Sequence, residues 1–379
     1  MTTPAARLPS PRCARQALAR LQQMAGLDLR GPPLVEPVMQ ALHRLVGFDA
    51  GGYVHPGSDG VLQTYLEDPA IQAREAAYFD PRILRSENAV LRCSLHHLGH
   101  TVHLGAGPLM LAQLLKVPYA ELLRSEFYDV MLRPSGVTDW ATLVLRADGR
   151  RVGTLVLYRH AGSAPFTREE LDVLAPLQAT LAHVLQPGDA DAHDDGDDSE
   201  RLGSGLLVAT AGGRPQWISP EAEALLRQAF GWRWRGAAGA LPAPLQALLR
   251  RLHAPALPGE PLPVPQMRLC NAQGWFSLRA TRMEAARGER QAVAVHITRR
   301  APRGVRLLSA LQALGLPQRQ HELAWWLARG LPESQIAARM GISANTVVYH
   351  RRQLYNRLGL QERRDLLRRL DQGSASSST

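Results

Sequence analysis

At 379 residues, 45% of them apolar, the chain is long enough for two or three domains, each with a core of its own. It has no run of about 18 apolar residues, and its first residues, M-T-T-P-A-A-R-L-P-S, lack the apolar centre of a secretory leader. A membrane span is therefore not expected, and the cytoplasm is the expected compartment. The formal charge of +10 is unevenly spread: residues 301–379 hold twelve arginines against five acids, whereas residues 189–200 hold seven acids and no arginine. A basic end suits a polyanionic partner. Cys13, Cys93 and Cys270 form neither a CxxC pair nor an even framework, so plain thiols are expected.

Along the chain, residues 1–29 read as an N-terminal helix or flexible lead. Apolar residues at helical spacing follow over 34–46. Residues 141–146 and 152–158 read as two strands joined by the turn A-D-G-R at 147–150. Thr167 is placed to cap a helix that carries Glu169 and Glu170 in its first turn and Leu171, Leu174, Leu177, Leu181 and Leu185 along it. The acidic stretch cannot bury a face and is expected to be a solvated linker over 188–202.

Beyond it, 205–210 and 215–218 read as strands around the turn A-G-G-R. Ser219 is expected to cap a helix with Pro220 in its first turn. Three further strands are expected at 263–270, 275–283 and 291–297, and no internal repeat is visible.

The last segment is punctuated by glycines. Helices are expected over 318–329, 333–340, 343–358 and 362–371, ended by Gly330, Gly341 and Gly359, with Ser343 capping the third. Two short helices about a glycine turn make a helix-turn-helix, here over about 334–353. On the third helix Val347, His350, Leu354 and Leu358 share one face. Val348, Tyr349, Arg352 and Gln353 point the other way, where arginine can pair with guanine, glutamine with adenine, and tyrosine or valine can touch a thymine methyl. Asn345 and Thr346 in the first turn, with Arg351 and Arg357 at the flanks, suit phosphates.

From Leu316 to Gly359 this segment resembles the LuxR-type (GerE-like) DNA-binding domain. The resemblance rests on Glu322, Gly330, Ile336, Ala337, Gly341, Ile342, Ser343, Thr346, Val347, His350, Tyr355, Leu358, Gly359 and Arg363. Pro332, Val348, Trp325 and Trp326 depart from the family pattern, and one of the two tryptophans is expected to stay partly exposed. The stretches S-E-F-Y-D-V-M-L-R-P-S-G-V-T-D at 125–139 and G-T-L-V-L-Y-R-H-A-G-S-A-P-F-T-R-E-E-L at 153–171 resemble a GAF domain covering 30–187. The strand and helix pattern of 203–298 resembles a PAS domain.

The fold expected is thus α+β sensory domains followed by an all-α four-helix domain over 310–373. The resemblance implies a non-enzymatic transcription factor that binds double-stranded DNA as a homodimer, with the fourth helix (Arg363, Leu366, Leu367, Leu370) near the axis. It also implies a small-molecule effector and RNA polymerase as further partners. No cofactor is expected. There is no G-x-x-x-x-G-K-[ST], so ATP-driven control is not expected.

Two alternatives remain. The sensory domains could be scaffold alone, or the cluster Cys93, His96, His97, His100 and His103 could hold a metal ion. Gly99 interrupts that run and T-V-H-L after it reads as a strand, so no metal site is expected there.

Overall fold

A computed structural model describes residues 10–27, 29–57, 59–92, 94–95, 107–187, 200–210, 212–252, 265–284, 292–301 and 303–375. They form two compact units. One is built around two five-stranded sheets; the other is formed by the described residues from 301 to 375 together with residues 22–27 and 29.

The first sheet domain begins after helix α1 (Pro11–Gly26) with α2 (Val35–His43), followed by strands β1 (Ala50–Pro56) and β2 (Leu62–Leu66). The short helices α3 (Pro69–Gln72) and α4 (Glu75–Tyr78), then α5 (Pro81–Val90), lead to β3 (Leu109–Met110), α6 (Leu111–Leu114) and α7 (Tyr119–Leu122). One turn of π-helix at Tyr128–Leu132 precedes β4 (Val137–Ala147) and β5 (Arg150–His160). The last helices are α8 (Arg168–Asp172) and α9 (Gln178–Leu185). The sheet order is β2-β1-β5-β4-β3, antiparallel throughout.

The turn between β4 and β5 falls where the sequence puts it. Asp148 (φ +50°) and Gly149 (φ +74°) are both left-handed, as a two-residue hairpin loop requires. The strands run longer than expected because β5 is central and buried from Val152 to Arg159. Thr167 does cap α8: its hydroxyl accepts the Glu170 N–H at 3.3 Å, and Glu170 returns a bond to the Thr167 N–H at 2.8 Å. The helix expected through Leu185 is broken, however. Pro176, having no N–H to give, leaves a 3₁₀ turn at Ala175–Leu177 between α8 and α9.

Arg159, 2% exposed, is the charged hub of this domain. Its guanidinium donates to the carbonyl of Gly47 (2.6 and 3.1 Å), to those of Ala164 (2.7 Å) and Pro165 (2.9 Å), and to Glu170 (3.0 Å), and it lies over the Phe166 ring. Strand, capping box and two loops converge on this one group.

The second sheet domain holds β6 (Glu200–Thr210), β7 (Pro215–Ile218), α10 (Pro220–Phe230), α11 (Ala243–Leu252), β8 (Gln266–Asn271), β9 (Gly274–Met283) and β10 (Ala292–Ala301). Ser219 caps α10 through the Ala222 N–H at 3.1 Å. β6 begins at Glu200, inside the stretch expected to be linker. The order β7-β6-β10-β9-β8 is second-first-fifth-fourth-third, the same as in the first domain. The two domains thus share a topology that no sequence repeat betrays. They meet where Trp232 stacks on Phe79 (centroids 4.2 Å, 13° between planes) and Arg233 pairs with Asp59.

In the second unit α12 (Arg303–Ala313), a helix the sequence reading did not anticipate, precedes α13 (Gln318–Ala328), α14 (Glu333–Met340), α15 (Ala344–Leu358) and α16 (Arg363–Ala375). Residues 22–27 and 29 join this unit, Gln23 meeting His321 at 2.5 Å.

Removing the Arg159 hub should be costly. Arg159→Ala leaves Glu170 and three carbonyls without their donor, and a loss of about 3–5 kcal/mol is expected in urea unfolding of the full chain. The loss should depend on pH. Burial raises the Glu170 carboxyl, but bonds from Arg159 and from the Thr167 N–H outweigh it and hold the group below its ordinary value. Its contribution is present above about pH 4.3 and fades as pH falls through the lower, folded value, so the gap between wild type and variant narrows in acid without closing, since the three carbonyls stay without their donor. A gap that is small, or independent of pH, would contradict this.

Candidate functional site

Helices α13 to α16 close around Leu323, Ile336, Met340, Val347, Leu354, Leu366 and Leu370, all buried. Trp325 and Trp326 are both buried too, at 0% and 3% exposure, against the expectation that one would stay partly exposed. Each is covered by an arginine, Arg329 lying 5.8 Å from the Trp325 ring and Arg339 4.6 Å from that of Trp326.

Gly341, left-handed at φ +63°, ends α14 and turns the chain within two residues into α15. Ser343 caps α15 by accepting the Thr346 N–H at 3.1 Å, and its hydroxyl meets that of Thr346 at 2.8 Å. The Thr346 N–H is therefore occupied, which corrects the expectation that it is free for phosphate. Asn345 remains exposed beside it.

The expected faces of α15 hold. Val347 and Leu354 are fully buried, and His350 and Leu358 half-buried, on the inner side. Opposite, Tyr349 is 58% exposed, Arg352 and Gln353 are exposed, and Val348 is half-buried. Gln353 donates to the Tyr349 hydroxyl at 2.6 Å, so these two side chains hold one another. Among the described residues Arg352 and Arg357 have no hydrogen-bond or ion-pair partner, and both project into solvent. Arg351 differs from them: it pairs with Glu333 at the start of α14 and so ties the two helices of the motif together. Sequence reasoning assigned it to phosphate and missed the carboxylate eighteen positions away.

The fourth helix also departs from expectation. Leu366 and Leu370, proposed for a dimer axis, are 0% and 4% exposed and packed inside the unit, where α16 lies against α12 and α13. Leu367 is half-buried and Arg363 is exposed. The cluster Cys93, His96, His97, His100 and His103 lies outside the described residues. Among the described residues no group of three or more His, Cys, Asp or Glu could hold a metal ion.

The first sheet domain encloses a cavity of about 70 Å³ between β1, β2, β4 and β5 on one side and α3 to α6 and the π-turn on the other. Its walls are aliphatic and aromatic, with Tyr78, Phe127, Trp140 and Tyr158 on them. Two carboxyls also reach it, those of Glu75 and Glu87. Glu87 is 1% exposed; the Tyr78 hydroxyl sits 3.1 Å from each of its oxygens. Burial pushes the Glu87 carboxyl up to about 8, against the opposing pull of the Tyr78 hydroxyl and the Leu95 N–H. Burial likewise raises Glu75, although Thr64, the Trp232 N–H and the charge of Arg233 oppose it. No sequence motif announces this site.

A folded carboxyl that titrates above its unfolded value keeps a proton the unfolded chain has lost, so stability falls as pH rises from about 4.3 toward 8. Glu87→Gln should remove that slope, matching wild type near pH 4 and exceeding it near pH 8 in urea midpoint. A constant offset between the two across that range would show that Glu87 is ionised in the fold.

Residues 315–370 match the luxR family of bacterial regulatory proteins, and residues 33–185 match the GAF domain. A probable transcriptional regulatory protein, SgaR of Hyphomicrobium methylovorum, is 52% identical over 48 residues, which is 13% of this chain and 23% of that protein. The chain thus matches under a quarter of that relative's length.

Among solved structures, the ligand-binding domain of VqsR from Pseudomonas aeruginosa is 19% identical, covering 45% of this chain and 92% of that one, with a TM-score of 0.29. CepR2 of Burkholderia cenocepacia, an N-acylhomoserine-lactone-dependent LuxR-family factor, is 16% identical over 46% of this chain and 91% of its own, with a TM-score of 0.27. Likeness at that level fixes neither fold nor function. Glycine turns, buried face and family matches agree: the chain carries a GAF domain and, at its C-terminal end, the helix-turn-helix domain of the luxR family of bacterial regulatory proteins.

Proposed function

We propose that this chain is a DNA-binding transcriptional regulator of the luxR type whose GAF domain senses a small molecule. The observation that carries the reading is the row Val348, Tyr349, Arg352 and Gln353 on α15, held outward by Val347 and Leu354 in the core. Such a helix, following a tight turn, fits the major groove. Arg352, unpaired and mid-helix, meets a base edge; the Gln353–Tyr349 pair opens or turns as one to meet an adenine or a thymine methyl. Arg357 and Asn345 hold phosphates, with Thr346 contributing through its side chain alone. Arg351 reaches phosphate only as far as Glu333 releases it.

The domains on this reading run over 30–187, 203–298 and 310–373, and the work is binding rather than catalysis. A bacterial regulator of this kind acts in the cytoplasm. No described helix is long and apolar enough to cross a membrane. Two copies are expected on a pseudo-palindrome with half-site centres about 10 base pairs apart, with RNA polymerase as the downstream partner. The enclosed cavity supports the sensing role, since an apolar space with a few convergent polar groups is the form small-molecule sites take.

Binding-site selection and salt titration on three variants test the interface. Arg352→Ala should cost about 1–3 kcal/mol and relax preference at one base position. Arg357→Ala should weaken all sequences alike and lower the salt slope by about one. Arg351→Ala, its charge already met by Glu333, should lower the slope by less than Arg357→Ala and also reduce the melting temperature of the domain. Equal, sequence-independent losses from Arg352→Ala and Arg357→Ala would show that α15 does not lie in the groove as described.

A further inference from the structure

The cavity of the GAF domain has a chemistry more selective than its apolar walls suggest. Four aromatic rings border it, and two glutamates line it, Glu87 on α5 and Glu75 on α4. Among the described residues that line it there is no lysine, arginine or histidine. Arg233, the nearest cation acting on Glu75, is itself paired with Asp59. Its volume of about 70 Å³ leaves room for a compact body rather than a long chain.

We propose that this cavity binds a small organic cation, an ammonium group on a compact apolar body, with Glu87 as its counter-ion and the faces of Tyr78, Phe127, Trp140 and Tyr158 as its walls. The proposal rests on the cavity being the effector site of the regulator.

Three features argue for this class of ligand. Aromatic faces carry negative potential and hold ammonium groups well where water is excluded. The Glu87 carboxylate, once ionised, offers about four acceptor positions, and among the described residues the Tyr78 hydroxyl and Leu95 N–H fill two. A buried carboxyl with no charged partner is costly to ionise, so the ligand that recovers most is the one bringing the opposite charge. An anion meets the reverse: two carboxyls and the negative faces of four rings.

Binding then moves a proton. The empty site holds Glu87 protonated, facing the Tyr78 hydroxyl from α4, with Tyr158 of β5 and Glu75 near it. Entry of the cation ionises Glu87, and its proton leaves to solvent.

The test uses the full chain and three probes of one small skeleton, sized to a cavity of about 70 Å³: isopropylammonium, 2-propanol and isobutyrate. Calorimetric titration should show the ammonium binding at least about ten-fold tighter than the alcohol, and the carboxylate not at all. Glu87→Gln should lose at least about ten-fold for the ammonium and nothing for the alcohol.

A second measurement needs no variant. Titrations of wild type at about pH 6.5 in two buffers of different ionisation enthalpy should show proton release with the ammonium and none with the alcohol. Alcohol binding as tightly as ammonium, preference for the carboxylate, or no binding by any of the three would overturn the proposal. DNA binding by the same preparations, followed by fluorescence anisotropy, should survive in Glu87→Gln. Failure to bind DNA in wild type counts against the regulator itself, and failure of the ammonium alone counts against the ligand class.

Discussion

One corner of the first sheet domain, where the central strand meets two loops and a helix start, is held by one buried arginine. Arg159 ends the central strand and gathers the Gly47 carbonyl, the loop at Ala164–Pro165 and the capping box of α8 onto a single planar group. A guanidinium suits the task because it presents five donors in a fixed fork, enough to satisfy three carbonyls and a carboxylate at once. With that corner closed, Trp140 and Thr142 of β4 and Val156 and Tyr158 of β5 lie on the face turned to the cavity. The alternate residues Leu155 and Leu157 are buried on the other face, on the side where α9 packs.

The helical unit is built on a different principle: glycines set its turns and an ion pair braces it. Gly341 permits the left-handed residue that reverses the chain, and Ser343 restarts it. The pair of Arg351 with Glu333 then spans the two helices of the motif from their outer side, where both side chains are about one-third exposed. An exposed pair contributes about 0–1 kcal/mol to stability, so its effect is geometric more than energetic. It links α15 to the start of α14, while among the described residues Arg352 and Arg357 have no partner.

What could be read from the sequence was local. The hairpin at Asp148–Gly149, the caps at Thr167, Ser219 and Ser343, and the stops at Gly341 and Gly359 each follow from a few adjacent residues whose backbone preferences leave little choice. The outward row on α15 followed from helical periodicity alone. What could not be read was long-range. Leu366 and Leu370 have the spacing of an interface stripe, and only the presence of α12 shows that the stripe is spent within the protomer. Trp325 and Trp326 are adjacent, so helical geometry argues against burying both; the helices surrounding α13 on several sides bury both nonetheless. The break before α9 was legible in Pro176 but outvoted by the leucine repeat around it. Glu87 carries no motif, because its character comes from Tyr78 and the apolar walls, which fold brings to it.

Helix α4 and strand β2 stand between the cavity and the second sheet domain. α4 places Glu75 and Tyr78 in the cavity lining, while the next residue, Phe79, stacks on Trp232, whose backbone N–H bonds to Glu75. A helix that lines the cavity with one residue and packs on the second sheet domain with the next links the two. Reciprocity follows: whatever free energy an occupant gains by shifting α4, a change that secures Trp232 must return to the occupant's affinity in equal measure. On the proposed reading the second sheet domain takes part in reception, and the indole of Trp232, stacked on Phe79, is an optical probe placed next to the helix that lines the cavity.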